Sequence, residues 1–260
     1  MGDSVAALLP TAAGAGGWGG CGEAISRRTV LMAGAILGVP FDHPVQAEPT
    51  AVKHVILLGD SVFDNAAYIG RDPDVRRQLE DLLPEKAHVT LAARDGAVIT
   101  DIASQLQSLP RDASHLIVSI GGNDALLASG VLDERATSVA DALEKLAAIA
   151  DRFSGDYSAM LGRALAGALP TAVCTIYEPR FPQPARRKVA ATALTLLNDR
   201  ITREAFSRGL TLIDLRLICD RDEDFANEIE PSARGGAKIA RAIAGFASGA
   251  SPSAAVVGKS

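Results

Sequence analysis

Val55-Ile56-Leu57-Leu58 runs directly into Gly59-Asp60-Ser61. An unbroken apolar run with β-branched residues predicts a strand buried on both faces, as in a helix-covered parallel sheet. The small polar turn that ends it delivers a serine hydroxyl to the carboxyl edge of the sheet, where open α/β folds bind ligands. Two later segments repeat the layout: Val89-Thr90-Leu91-Ala92-Ala93 before Arg94-Asp95-Gly96, and Leu116-Ile117-Val118-Ser119-Ile120 before Gly121-Gly122-Asn123-Asp124. Parallel neighbours of this kind bring Ser61, Gly96 and Asn123 to one edge. A hydroxyl, a glycine N–H and a carboxamide are the groups needed to attack a carbonyl and hold its oxyanion.

These blocks resemble those of the GDSL, or SGNH, family of serine esterases and lipases. Gly59-Asp60-Ser61-Val62-Phe63-Asp64-Asn65 matches the nucleophile block, Gly96 the glycine block and Gly121-Gly122-Asn123-Asp124 the asparagine block. The resemblance spans roughly residues 53 to 247 and implies a flavodoxin-like three-layer α/β/α fold with a five-stranded parallel sheet. It also implies ester hydrolysis through an acyl-enzyme on Ser61. The Ser61 N–H, the Gly96 N–H and the Asn123 amide are the implied oxyanion donors.

The last block departs from the family pattern. In place of Asp-x-x-His-Pro the chain carries Asn227-Glu228-Ile229-Glu230-Pro231, so Asn227 stands for the acid and Glu230 for the histidine. The four histidines, His43, His54, His88 and His115, offer no substitute. His43 lies in the N-terminal extension and the other three stand at the starts of the first three strands. His54 is separated from Ser61 by roughly 23 Å of extended chain. Glu230 is therefore the candidate base, a role that burial would favour by raising its pKa. The competing reading is a non-catalytic ligand-binding or sensing domain that uses Glu230 for recognition. The two differ in whether Glu230 comes within hydrogen-bond reach of the Ser61 hydroxyl.

Asp60 is expected to organise its turn, and Asp64 and Asn65 to cap the segment that follows. Asp60, Asp124, Asn227 and Arg180 are candidate substrate contacts, with Arg94 and Asp95 as further candidates for the pocket edge. Asp220-Arg221-Asp222-Glu223-Asp224 lacks the glycine and closing glutamate of a calcium loop and reads as a solvated loop. No Cys/His cluster has zinc spacing, so neither metal nor cofactor is expected.

Strand–helix alternation specifies the parallel sheet. Helices are predicted near residues 73–83, 99–109, 139–169, 185–208 and 237–246, with a fourth strand before Tyr177 and a fifth at 210–214. Ser26-Arg27-Arg28-Thr29-Val30-Leu31 resembles a twin-arginine export core, followed by the short apolar stretch 31–39 and an Ala-x-Ala-like site at Val45-Gln46-Ala47. Residues 1–47 are thus expected to be a removable signal or disordered leader, residues 48–248 one hydrolase-like domain and 249–260 a disordered tail. The location expected is periplasmic or secreted, or cytoplasmic if the extension is no signal. A net charge of −5 and only 4% aromatic residues argue against nucleic acid and anionic membranes as partners. A small soluble ester is the expected substrate, and no integral membrane segment is expected after signal removal.

Overall fold

The computed structural model describes residues 54–249 and Val256–Val257. Its sheet contains β1 (His54–Gly59), β2 (His88–Leu91), β3 (His115–Ser119), β4 (Thr171–Cys174), β5 (Thr211–Ile213) and β6 (Val256–Val257). Their order is β2-β1-β3-β4-β5-β6 and every pair is parallel. β6 is a departure from expectation: the tail read as disordered supplies a two-residue strand beside β5.

Successive strand residues feed opposite layers. Val55, Leu57, Ile117, Cys174 and Ile213 pack with Val75, Leu79, Leu215, Ile239 and Ile243 from α1 (Val75–Glu80), α6 (Leu215–Ile218) and α7 (Ala233–Ala247). Ile56, Leu58, Leu116, Val118 and Leu212 face Ile102, Phe153, Tyr157, Leu197 and Ile201 from α2 (Ile102–Leu106), α4 (Val139–Ala164) and α5 (Pro184–Ser207). Val55 to Leu58 are wholly inaccessible, and complete burial of such a side chain contributes about 1.5–3 kcal/mol. The arrangement is a three-layer α/β/α fold, as expected.

Local chemistry sets the helix ends. The Ser138 side chain accepts from the Asp141 N–H at the start of α4, and Pro184 opens α5. Two departures affect the site. The stretch after Gly121, read as loop, forms α3 (Gly122–Ala128) and then a 3-10 turn, Ser129–Asp133. The last helix begins at Ala233 rather than 237, because the Ser232 hydroxyl caps the Gly235 N–H. Gly235 and Gly236 are therefore helical, where α7 passes against the Asp224 carbonyl and α1.

The expected solvated acidic loop is also corrected at one residue. Asp224 is wholly buried and binds Lys238 Nζ at 2.6 Å, with Arg234 at 3.7 Å. Cys174 and Cys219 are both buried free thiols. Among the described residues no helix is long and apolar enough to cross a membrane. The proposed signal segment, residues 1–47, lies outside the described residues.

Candidate active site

β1 is held at its end by a buried amide. The Gly59 N–H donates to Gln105 Oε1 and Gln105 Nε2 donates to the Gly59 carbonyl, both at 2.8 Å. Gly59 has φ +143°, and a Cβ there would lie 1.8 Å from the Ser119 carbonyl oxygen, so only glycine lets β1 and β3 meet before the turn. Asp60 then organises the turn as expected. Its carbonyl accepts from Phe63 and Asp64, and its Oδ1 accepts from Val62 N–H at 3.1 Å. Ser61 is left at the head of the turn with no acceptor for its own N–H among the described residues.

The glycine loop is tied to this turn, since Asp64 Oδ2 accepts from the Asp95 N–H at 3.0 Å. Gly96 has φ +77° and its N–H has no acceptor among the described residues. α3 docks on the same loop: Asn123 Nδ2 donates to the Ala97 carbonyl at 2.9 Å, and Asp124 accepts from the Ile99 N–H at 3.1 Å. A carboxamide has two N–H donors, so Asn123 keeps one beyond its bond to Ala97.

Glu230 arrives from the far end of the chain. Ser61 Oγ donates to its Oε1 at 3.1 Å, inside the range in which a base serves a nucleophile. Glu230 is only 5% exposed, and its second oxygen, Oε2, is buried without a partner among the described residues. Burial pushes its pKa up and the nearby Asp95 adds to the rise, while the Ser61 hydrogen bond opposes it. Asp60 is also buried and is pushed up to about 7, chiefly by desolvation; the Val62 N–H lowers it, and the charges of Glu230 and Asp124 raise it further.

One cavity of about 280 Å³ is lined by Asp60, Ser61, Asn123 and Glu230. The rest of its wall is mostly apolar and comes from α3, the 3-10 turn, α4, the loop after β4 and α5; Leu126, Leu132, Ile149, Ile176, Phe181 and Leu194 are representative. Arg186 is its cationic residue, over the Phe181 ring and 3.9 Å from Asp133.

Of the residues expected to touch substrate, Asp60 lines the cavity and the other three do not. Asp124 is committed to the glycine loop. Asn227 is exposed, and its Oδ1 accepts from the Ile229 and Glu230 N–H groups, both at 2.9 Å, shaping the loop rather than the pocket. Arg180 lies over Phe225 and donates to the Cys219 carbonyl at 3.2 Å, a staple between two loops. Arg94 and Asp95 are exposed, and Asp95 accepts from the Tyr68 hydroxyl at 2.7 Å.

The three described histidines are as remote as the spacing predicts. His54, His88 and His115 are the first residues of β1, β2 and β3, and the His54 ring pairs with Asp112 and Thr90. Two side chains do more at the site than the sequence indicates. Tyr177 lines the cavity and its hydroxyl donates to the Ile229 carbonyl. Asn65, expected to cap the turn after Ser61, instead makes two tertiary bonds.

Residues 57–238 match the family model described as the GDSL-like lipase/acylhydrolase family. The chain belongs to that family. GDSL-like acylhydrolases cleave esters, and this member is a hydrolase acting on ester bonds. Its fold is shared with several solved structures at low identity. A lipase from a goat rumen metagenome aligns with TM-score 0.58 at 18% identity, over 75% of this chain and 98% of the other. A phospholipase A1 from Streptomyces albidoflavus NA297 aligns with TM-score 0.54 at 20% identity, over 72% and 96%. An extracellular lipase from Streptomyces rimosus aligns with TM-score 0.54 at 16% identity, over the same shares. No curated protein matches the chain.

Proposed function

We propose that this GDSL-like hydrolase cleaves esters of apolar carboxylic acids through an acyl-enzyme on Ser61, with Glu230 as general base. The observation that carries the reading is the 3.1 Å hydrogen bond from the Ser61 hydroxyl to a buried carboxylate. As Ser61 Oγ attacks the carbonyl carbon, its proton passes to Glu230. The carbonyl oxygen becomes an oxyanion facing the Ser61 and Gly96 N–H groups and the second amide proton of Asn123. When the tetrahedral intermediate collapses, Glu230 returns the proton to the departing alkoxide and leaves an ester on Ser61. Water then attacks that ester as Glu230 takes one of its protons; when the second tetrahedral intermediate collapses, the C–Oγ bond breaks, Glu230 returns that proton to Ser61 Oγ, and the carboxylic acid leaves.

A carboxylate is a weaker base than imidazole at its ordinary pKa, and burial narrows that difference. The buried oxygen Oε2 supports the same reading, because a carboxylate oxygen without a hydrogen-bond donor is less stabilised as an anion and takes a proton more readily. The apolar wall supports an acyl chain as the group bound, since each buried methylene contributes about 0.8 kcal/mol. The expectation of a small soluble ester becomes one of a short to medium apolar acyl chain. Export through the arginine-pair signal stays part of the proposal.

The test is covalent. A fluorophosphonate bearing a medium alkyl chain should phosphonylate Ser61, located by peptide mass spectrometry, and spare Ser61→Ala. Absence of an adduct on the folded wild-type protein would refute the assignment of the nucleophile.

A further inference from the structure

Glu230 is useful only if its loop is held in register with the turn that carries Ser61. The Ser61–Glu230 bond, at 3.1 Å, is already at the long end for a hydroxyl donating to a carboxylate. A displacement of a few tenths of an ångström weakens it.

The base loop is fixed on one side by the segment after β4. The Tyr177 hydroxyl donates to the Ile229 carbonyl, and the Arg180 N–H donates to the Glu228 carbonyl at 2.6 Å. On the other side, Ser61 itself apart, a single described residue of the nucleophile segment hydrogen-bonds to it. Asn65, four residues after Ser61 and wholly inaccessible, donates from Nδ2 to the Pro231 carbonyl at 3.1 Å. Its Oδ1 accepts from the N–H of Val75, the first residue of α1, also at 3.1 Å. Among the described residues this is the one hydrogen bond, besides Ser61–Glu230 itself, between residues 60–69 and residues 226–231. Pro231 follows Glu230 directly and its ring fixes φ, so holding the Pro231 carbonyl leaves the Glu230 backbone little freedom.

We propose that Asn65 is a positioning residue, through which the nucleophile turn sets the distance between Glu230 and Ser61. The inference rests on Glu230 being the base. Asn65 touches neither the cavity nor the reacting atoms, so its effect on catalysis passes through the loop.

The test is a cycle of variants assayed with a soluble activated ester: wild type, Asn65→Ala, Asn65→Asp, Glu230→Gln and Asn65→Ala/Glu230→Gln. Asn65→Asp keeps the acceptor for Val75 and removes the donor to Pro231. Phosphonate titration of Ser61 puts each rate on the scale of folded enzyme, and Asn65→Asp carries the test if Asn65→Ala does not fold. Both single Asn65 variants should lose about 10- to 100-fold in kcat with KM nearly unchanged, the usual cost of misplacing a catalytic group by about an ångström. In the Glu230→Gln background the Asn65→Ala change should cost almost nothing more. An equal loss in both backgrounds would overturn the proposal, as would wild-type kcat with only a lowered Tm. If Glu230→Gln alone kept wild-type kcat, the reading of the base would fail first, visibly apart from any Asn65 effect.

Discussion

Ser61 and Glu230, separated by 169 residues of sequence, meet through a hydroxyl-to-carboxylate hydrogen bond of 3.1 Å. The contact joins the first strand's turn to the loop before the last helix, across the carboxyl edge of the sheet. It puts an acceptor where the family pattern places an imidazole.

Glu230 must be ionised to accept the serine proton, and burial holds its pKa above the ordinary 4.5. The rate kcat/KM should therefore fall as the pH drops through a midpoint above 4.5. Among the described residues no histidine stands at the site, and Asp60 is the group there that titrates near neutrality. Glu230→Gln should abolish the limb along with most of the rate. A pH–rate profile from stopped-flow ester cleavage checks both; an acid limb that survives in Glu230→Gln belongs to another group.

Asp60 carries the opposite sign for stability. Its pKa is about 7 in the fold against the ordinary 3.8 of an aspartate, so the native state holds its proton more tightly than the unfolded chain. That favours folding fully below 3.8 and is lost as the pH rises through 7. The gap corresponds to at most about 4 kcal/mol of penalty at alkaline pH. Asp60→Asn keeps an acceptor for the Val62 N–H and should raise Tm by several degrees at pH 8, with little change at pH 3.5. Thermal melts across that range would show the gain fading on acidification.

Asn123→Ala removes the amide proposed to face the developing oxyanion, and also a bond to Ala97. Loss of one such donor costs about 10²- to 10³-fold in kcat in well-characterised sites. KM for a soluble ester should change far less. Steady-state kinetics on Asn123→Ala and Asn123→Asp would show this, and a loss confined to KM would assign Asn123 to substrate binding.

Acyl selectivity should follow the apolar wall. Across p-nitrophenyl esters from acetate upward, kcat/KM should rise about fourfold per methylene, from roughly 0.8 kcal/mol each, until the cavity of about 280 Å³ is full. Ala193→Phe fills space in that wall and should move the optimum to shorter chains while leaving acetate hydrolysis near wild type. An optimum already at acetate in the wild type would separate the cavity from acyl recognition.

Much of this architecture is legible from the chain itself. Val55 to Leu58 announce a strand covered on both faces, and the repeats at Gly96 and Asn123 place two further turns on the same edge. The substitution at Glu230 is equally plain. What the sequence hides is tertiary or aperiodic. α3 starts inside Gly121-Gly122, a pair that reads as loop, so the helix that helps wall the cavity leaves no apolar period. Asn65 reads as a local cap because its partner, Pro231, is 166 residues away. Arg180 reads as a ligand group because it follows β4; the Phe225 ring and the Cys219 carbonyl that hold it come from another loop. Asp224 reads as solvated among four charged neighbours, and its burial is made tolerable by Lys238 and Arg234 from α7 together with the Arg221 N–H.

The most direct test of the central claim is pre-steady-state cleavage of an activated medium-chain ester by wild type, Ser61→Ala and Glu230→Gln. The account predicts an acyl adduct on Ser61 in the wild type and none in Ser61→Ala. It also predicts acylation slowed about 10²- to 10⁴-fold in Glu230→Gln, the range for loss of a general base. Equal acylation rates in wild type and Glu230→Gln would contradict it.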